Sequence, residues 1–336
     1  MFQTKMHIKN IVQLPYFDQF CNVIVSSLCQ PLPKYVTHLT FSKNFDQIIE
    51  GYIPESVTHL KFSNYFNERI DGCIPPSVTH LTFGYYFDQS IINSIPSSIT
   101  YINFGGTFNK PIMGSIPDSV THLFFGSNFN QSIANSHPKS LTHLTLGSSF
   151  NKPIKGHIPE SVTHLNFNSF DEPIDNCIPK SVTHLTFNTL FDRSIENCIP
   201  ESVTNVTFGY CFNKTIRGHI PRSVTHLAFG NDFNQPIESS IPDSVTHLRF
   251  GNNFNQAIDC HIPASVTHLV FGHNFNQTID GYIPVSVTHV VFGYYFWQSL
   301  DSMPDSVIEI CVSQYYKREI CERVLSKMVT KPSFNI

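Results

Sequence analysis

From residue 33 onward, hydrophobic and polar positions recur in a fixed frame. Proline stands at positions 33, 54, 75, 96, 117, 138, 159, 179, 200, 221, 242, 263, 284 and 304, and every interval is 21 residues except 159 to 179 and 284 to 304, which are 20. Counted from its proline, the unit pattern carries apolar residues at positions 4, 7, 9, 13, 17 and 21. Val57, Leu60, Phe62, Phe66, Ile70 and Ile74 show this in one unit, and the same six positions predict the core throughout. Within the run T-H-L-x-F the alternation has period two, so Leu60 and Phe62 share one face of a short strand and His59 and Lys61 the other. A unit of this length is too short for a strand plus a full helix with its loops. Each unit is therefore expected to be one coil of a mostly β, leucine-rich-repeat-like solenoid, its strand pairing in parallel with the next. Thirteen such strands at about 4.8 Å spacing predict a sheet about 60 Å long. The predicted organisation is a cap or decayed repeat over 1–32, the repeat array over 33–310, and a helical cap with tail over 311–336.

The remainder of the coil reads as turn and extended backbone. Unit position 10 is glycine in most coils (Gly84, Gly105, Gly230), Asn168 and Asn188 in two, and Ser42 and Ser63 in the first two. Glycine and asparagine share a tolerance of positive φ, which predicts a left-handed turn there. Proline at 111, 153, 173 and 236 biases the outer side away from helix, towards extended or 3-10 backbone. Position 5 is threonine in every unit, Thr37 through Thr288, and the residue after the second phenylalanine is Asn or Asp until Trp297. Both columns are expected to bond to the backbone of the neighbouring coil.

Composition narrows the picture. Charged residues are 14% of the chain, the net charge is -4, and no run of like charge occurs, which argues against nucleic acid and anionic membrane as partners. No stretch approaches 18 uncharged apolar residues, and the start MFQTKMHIKN lacks the apolar core of a signal peptide, so a soluble, cytoplasmic chain is expected. Nine cysteines, mostly placed by the repeat frame, fit reduced thiols.

The stretches Phe129-Asn130-Gln131, Phe233-Asn234-Gln235 and Phe275-Asn276-Gln277, in frame with Ile-Pro pairs such as Ile241-Pro242, resemble the FNIP repeat family, itself similar to leucine-rich repeats. The resemblance covers about residues 33 to 310. Such proteins occur chiefly in social amoebae and large amoeba-infecting viruses, often with an F-box ahead of the repeats. What the resemblance implies is protein binding, with a substrate receptor for ubiquitination as one form of it. Residues 1–32 are short for an F-box; Leu14-Pro15 is similar to the pair that opens one, while Tyr16-Phe17-Asp18-Gln19 equally reads as a decayed repeat.

Position 6 is histidine in eleven coils, from His38 to His289, interrupted by Tyr101 and Asn205. Catalysis needs one group in a singular setting, whereas a ladder repeats one setting, so a non-enzyme is expected. Two protonated imidazoles about 5 Å apart would repel by roughly 3 kcal/mol at an effective dielectric near 20, which predicts depressed histidine pKa values and stability that falls as pH drops below about 6.5. Metal is disfavoured: adjacent histidines supply two ligands with no regular third, and the column His157, Cys177, Cys198, His219 is a line that cannot surround one ion. No cofactor motif rises above the repeat. A ligand-, metal- or pH-responsive histidine surface remains the alternative to a protein-binding scaffold.

Position 8 varies: Thr40, Lys61, Thr82, Asn103, Phe124, Thr145, Asn166, Thr186, Thr207, Ala228, Arg249, Val270, Val291. Because invariant columns build coils and variable ones distinguish ligands, the expected partner-binding residues are His247, Arg249, His268, Val270, His289, Val291, Tyr294 and Tyr295, unless the chain's own C-terminal segment covers them. That segment, Ser313 to Met328, spaces Tyr316, Ile320, Val324 and Met328 as an amphipathic helix.

Overall fold

The computed structural model describes residues 5–331 except Gln30, His137 and Cys260; the final residues of the expected tail lie outside it. Two compact units are formed, Met1–Phe167 and Asn168–Ile336. Each is a stack of coils, one short strand per coil, every described pair of neighbouring strands parallel. The first unit holds β1 (Met6–His7), β2 (Asn22–Val25), β3 (His38–Phe41), β4 (His59–Lys61), β5 (His80–Thr82), β6 (Tyr101–Asn103), β7 (His122–Phe124), β8 (His143–Leu146) and β9 (His164–Phe167). They pair in sequence order, with registers such as His59↔His80 and Leu60↔Leu81, so equivalent unit positions stand directly opposite one another. The second unit holds β10 (His184–Phe187), β11 (Asn205–Thr207), β12 (His226–Ala228), β13 (His247–Arg249), β14 (His268–Val270), β15 (His289–Val291), β16 (Glu309–Ser313) and β17 (Met328–Lys331), also in order.

The predicted core positions are inside. Val57, Leu60, Phe62, Phe66, Ile70 and Ile74 are all buried, as are most of their equivalents along both units, Ile95 being half-buried. The two phenylalanines of a coil stack on each other, Phe125 on Phe129 at 3.8 Å, and on their counterparts one coil away, Phe108 on Phe129 at 6.1 Å. Two phenylalanine columns thus run through each stack, one of them interrupted by Leu146 in the first unit, and ring stacking adds to the burial of large apolar area.

The outer side has neither helix nor a continuous 3-10 run within the described repeats. Single i to i+3 turns recur at three corners of the coil, as in Val57 N–H to Pro54 O at 3.0 Å, Phe87 N–H to Gly84 O at 3.4 Å and Cys73 N–H to Ile70 O at 3.0 Å. Positive φ falls at a different place from that expected: at unit position 19, at Gly72, Gly114 and Gly218, and at Asn93 and Asn197 in the same role. The glycine of position 10 has ordinary φ and a different reason to exist. A Cβ at Gly230 would land on the carbonyl of Gly209, because successive coils touch backbone to backbone where the chain leaves the strand. Ser63, second in that column, is buried and its hydroxyl donates to Phe45 O while accepting from Phe66 N–H.

Both ends of the chain are built from irregular coils. Residues 6–25 contribute β1 and β2, joined by the short helix α1 (Ile8–Ile11) and one 3-10 turn, so this stretch continues the stack as a decayed repeat. A C-terminal helix, α2 (Glu322–Leu325), is present, but it is one turn long. Of the four apolar residues at helical spacing only Val324 is buried, and Met328 lies in a strand. The open edge of β15 explains this: its unpaired groups recruit β16 and then β17 as further parallel strands, which satisfies backbone that a lone helix would leave bare.

Candidate functional site

With positions 7 and 9 turned into the core, positions 6 and 8 form the outward face of each sheet, half-buried or exposed. Imidazoles stack along it at centroid separations of 4.1 Å (His38–His59, His122–His143, His143–His164) to 4.5 Å (His268–His289), nearly parallel. Tyr101 continues the column at 5.5 Å from His80.

The threonine column orients these rings. Thr246 Oγ1 lies 2.9 Å from His247 Nδ1 and 3.2 Å from Thr225 O. That carbonyl already accepts from Thr246 N–H at 2.9 Å and His247 N–H at 3.1 Å. A carbonyl offers two lone pairs, both used, so we assign the hydroxyl proton to the shorter contact at Nδ1, which leaves Nε2–H facing outward as a donor. The same set of contacts recurs at Thr58–His59 and Thr267–His268.

Burial is the main reason that His59, His80, His247 and His268 resist protonation, with repulsion from other histidines of the ladder second; their pKa values lie below the ordinary one. The expected direction is found, but the leading cause is desolvation and not the repulsion emphasised above. Parallel rings also set their nitrogens side by side without convergence on a point. Among the described residues no group of three His, Cys, Asp or Glu is placed to hold a metal. In the His157–His219 column, the Cys198 thiol points at Glu196 O, 3.1 Å away, and burial with nearby Asp175 pushes its pKa up to about 11, the opposite of a thiolate ligand.

Two shallow grooves lie on this face, one per unit. In the first unit a depression of about 250 Å³ is lined by His38, His59, His80, Tyr101, Lys61 and Lys5 among others. Lys5 has a lowered pKa from burial and from neighbouring Lys61. In the second, about 320 Å³ is lined by His226, His247, His268, Ala228, Arg249 and Val270 among others. Four of the expected residues, His247, Arg249, His268 and Val270, therefore meet in one groove. His289 and Val291 continue it in register on the next strand, opposite His268 and Val270.

Tyr294 and Tyr295 belong elsewhere, on the turn that follows β15. They pack edge to face at 4.9 Å, and Tyr315 stands T-shaped against Tyr294 at 5.2 Å. Tyr85 and Tyr86 repeat this pair in the first unit, again at 4.9 Å. The C-terminal segment extends the sheet beyond β15 by edge pairing, and Tyr294 and Tyr295 remain exposed. The grooves and the part played by Lys5 were not legible in the sequence, although Lys61 and Arg249, as the cations of the variable column, mark both places.

Fold and face together define a leucine-rich-repeat-like β-solenoid. The model of the FNIP repeat matches residues 30–65, 66–107, 108–149, 129–170, 150–190, 170–211, 191–232, 212–253, 254–295 and 275–315, and the chain belongs to the FNIP repeat family. Among solved structures, it is similar to the giant-virus protein CroV588, described as a novel circular LRR protein, at TM-score 0.74 and 35% identity, over 97% of this chain and 59% of that one. A leucine-rich repeat protein from Bacteroides ovatus aligns over 92% of this chain and 88% of that one at 15% identity, with a TM-score of only 0.23. No curated protein matches. No helix among the described residues is long and apolar enough to cross a membrane.

Proposed function

We propose that this protein is a non-enzymatic interaction scaffold whose partner, another protein, docks on the outward face of the sheet. The observation that carries this reading is the juxtaposition of an invariant frame with a variable column: His247 and His268 are held by the threonine ladder, while Ala228, Arg249 and Val270 between them differ from coil to coil in one groove. Such a surface has rigid backbone and interchangeable side chains, which suits recognition at little ordering cost. The placement of the cysteines, mostly set by the repeat frame, suits a reducing, cytoplasmic setting. Residues 6–25 contribute two strands to the stack and carry no observation that favours a role in ubiquitination over any other use of the scaffold.

The test is affinity capture from cell lysate, with the intact chain beside a variant changed at Arg249, Val270, Tyr294 and Tyr295, joined to photo-crosslinking from position 270. A protein enriched by the intact chain, lost by the variant and cross-linked from Val270 is the expected result. Equal capture by both chains would move the binding site off this face.

A further inference from the structure

The chain carries 25 Asp and Glu residues and a net charge of -4, yet positions 6 and 8 of β3 through β15 contain none of them. The first carboxylate on the face is Glu309 of β16, opposite His289. In the second unit's groove this asymmetry is sharpest. Arg249 is exposed, forms no ion pair with any described residue, and stands in the cross-strand row between Ala228 and Val270. On the adjacent row, His226, His247 and His268 have Nδ1 within 2.9 to 3.0 Å of a threonine hydroxyl, and in the tautomer assigned to them Nε2, the nitrogen away from threonine, carries the proton. The groove thus offers one guanidinium, a row of N–H donors and small apolar walls, with no carboxylate to compete.

Resting on the proposed scaffold reading, we infer that this groove takes an extended acidic segment of the partner protein, an Asp or Glu carboxylate pairing with Arg249 and its neighbours accepting from the histidine donors. The guanidinium fork suits a carboxylate in a way a lysine would not, and flanking Ala228 and Val270 leave room for the peptide backbone to approach. Polyanionic nucleic acid fits less well. The face has only Arg249 and Lys61 as full cations in its two columns, too few to track a phosphate backbone.

The experiment titrates the full chain with a twelve-residue peptide of alternating Glu and Ser, its Gln-Ser counterpart, and a twelve-nucleotide single-stranded RNA, read by fluorescence anisotropy and by the methyl resonances of Ala228 and Val270. The Glu peptide is expected to bind and shift both methyls, the Gln peptide at least about tenfold more weakly, and binding to weaken as salt rises. Arg249→Gln is expected to lose about tenfold and the methyl shifts, whereas Arg217→Gln, an exposed cation on a turn, changes nothing. Unshifted methyls, an equal loss from Arg217→Gln, or RNA bound as tightly with the same Arg249 dependence would each overturn the inference. If acidic peptide fails while Val270 still cross-links a partner, only the acidic chemistry falls; if the cross-link also fails, the scaffold reading falls with it.

Discussion

At the scale of single residues, two glycine columns that look alike in the sequence obey different physics. Gly114 has φ of 68° and open space where a side chain would stand, and Asn93 and Asn197 fill the equivalent place. Gly230 has no unusual φ but lies against the backbone of the coil before it. Gly114→Asn is therefore expected to change stability by under about 1 kcal/mol, since asparagine tolerates the left-handed region. Gly230→Ala is expected to cost about 3 kcal/mol or more, because backbone must move to admit the methyl. Urea unfolding of the two variants checks both, and equal effects would mean that φ governs each site. The assigned histidine tautomer is likewise open to direct measurement: side-chain ¹⁵N shifts should show Nε2 protonated and Nδ1 bare in His59 and His247, and the reverse pattern would send the threonine hydroxyl to the carbonyl.

At the scale of elements, ladders carry the structure. The side-chain oxygen of Asn234 accepts from Asn255 N–H at 2.9 Å, Asn255 from Asn276 N–H at 2.9 Å, and Asn276 from Trp297 N–H at 2.9 Å, where the column ends because tryptophan has no acceptor. Asp88 and Asp192 do the same work for Asn109 and Asn213. Asn255→Ala should cost about 1 kcal/mol by leaving Asn276 N–H without its partner, while Asn255→Asp should be tolerated; thermal unfolding of both variants checks the contrast. The histidine ladder adds a pH dependence whose sign follows from the lowered pKa values of His59, His80, His247 and His268. Above about pH 7 both folded and unfolded chains are neutral at these sites. As pH falls through about 6.5, the unfolded chain takes up protons first, so stability is lost in that window and continues to fall until the folded rings titrate as well. The urea midpoint is expected to drop between pH 7.5 and 5.5, and replacing these four histidines by glutamine should flatten that slope.

At the scale of the whole molecule, each unit is quasi-one-dimensional, with every coil resting on its neighbours. Damage should stay local. Phe254→Ala, which opens a cavity worth about 3 to 5 kcal/mol, is expected to speed hydrogen exchange in β13 to β15 before it is felt in β4 to β6. Arg323 is one of the side chains that pin the C-terminal end: it donates to Met303 O and Asp301 O, each at 2.8 Å, and pairs with Asp305 at 2.6 Å, beside Tyr316 OH to Gln298 O at 2.7 Å and Lys327 Nζ to Asp305 O at 2.9 Å. Arg323→Ala should loosen β16 and β17 together. Protection of those strands by hydrogen exchange is the readout.

The repeat frame, the six core positions, the parallel register and the outward histidines were all determined by the sequence, because a period of 21 residues multiplies every local preference thirteen times and leaves one consistent packing. The same repetition pointed to the face but not to its grooves. Those depend on which position-8 side chains are short, as Ala228 is beside Arg249, and on how Lys5 from a decayed coil comes to lie by Lys61. Only tertiary structure decided why position 10 is glycine, since the obstacle is the carbonyl of another coil and not the residue's own dihedral angle. It also decided that the C-terminal segment pairs as strands around a single helical turn: periodicity describes a segment's own faces, whereas an unsatisfied sheet edge belongs to its neighbour.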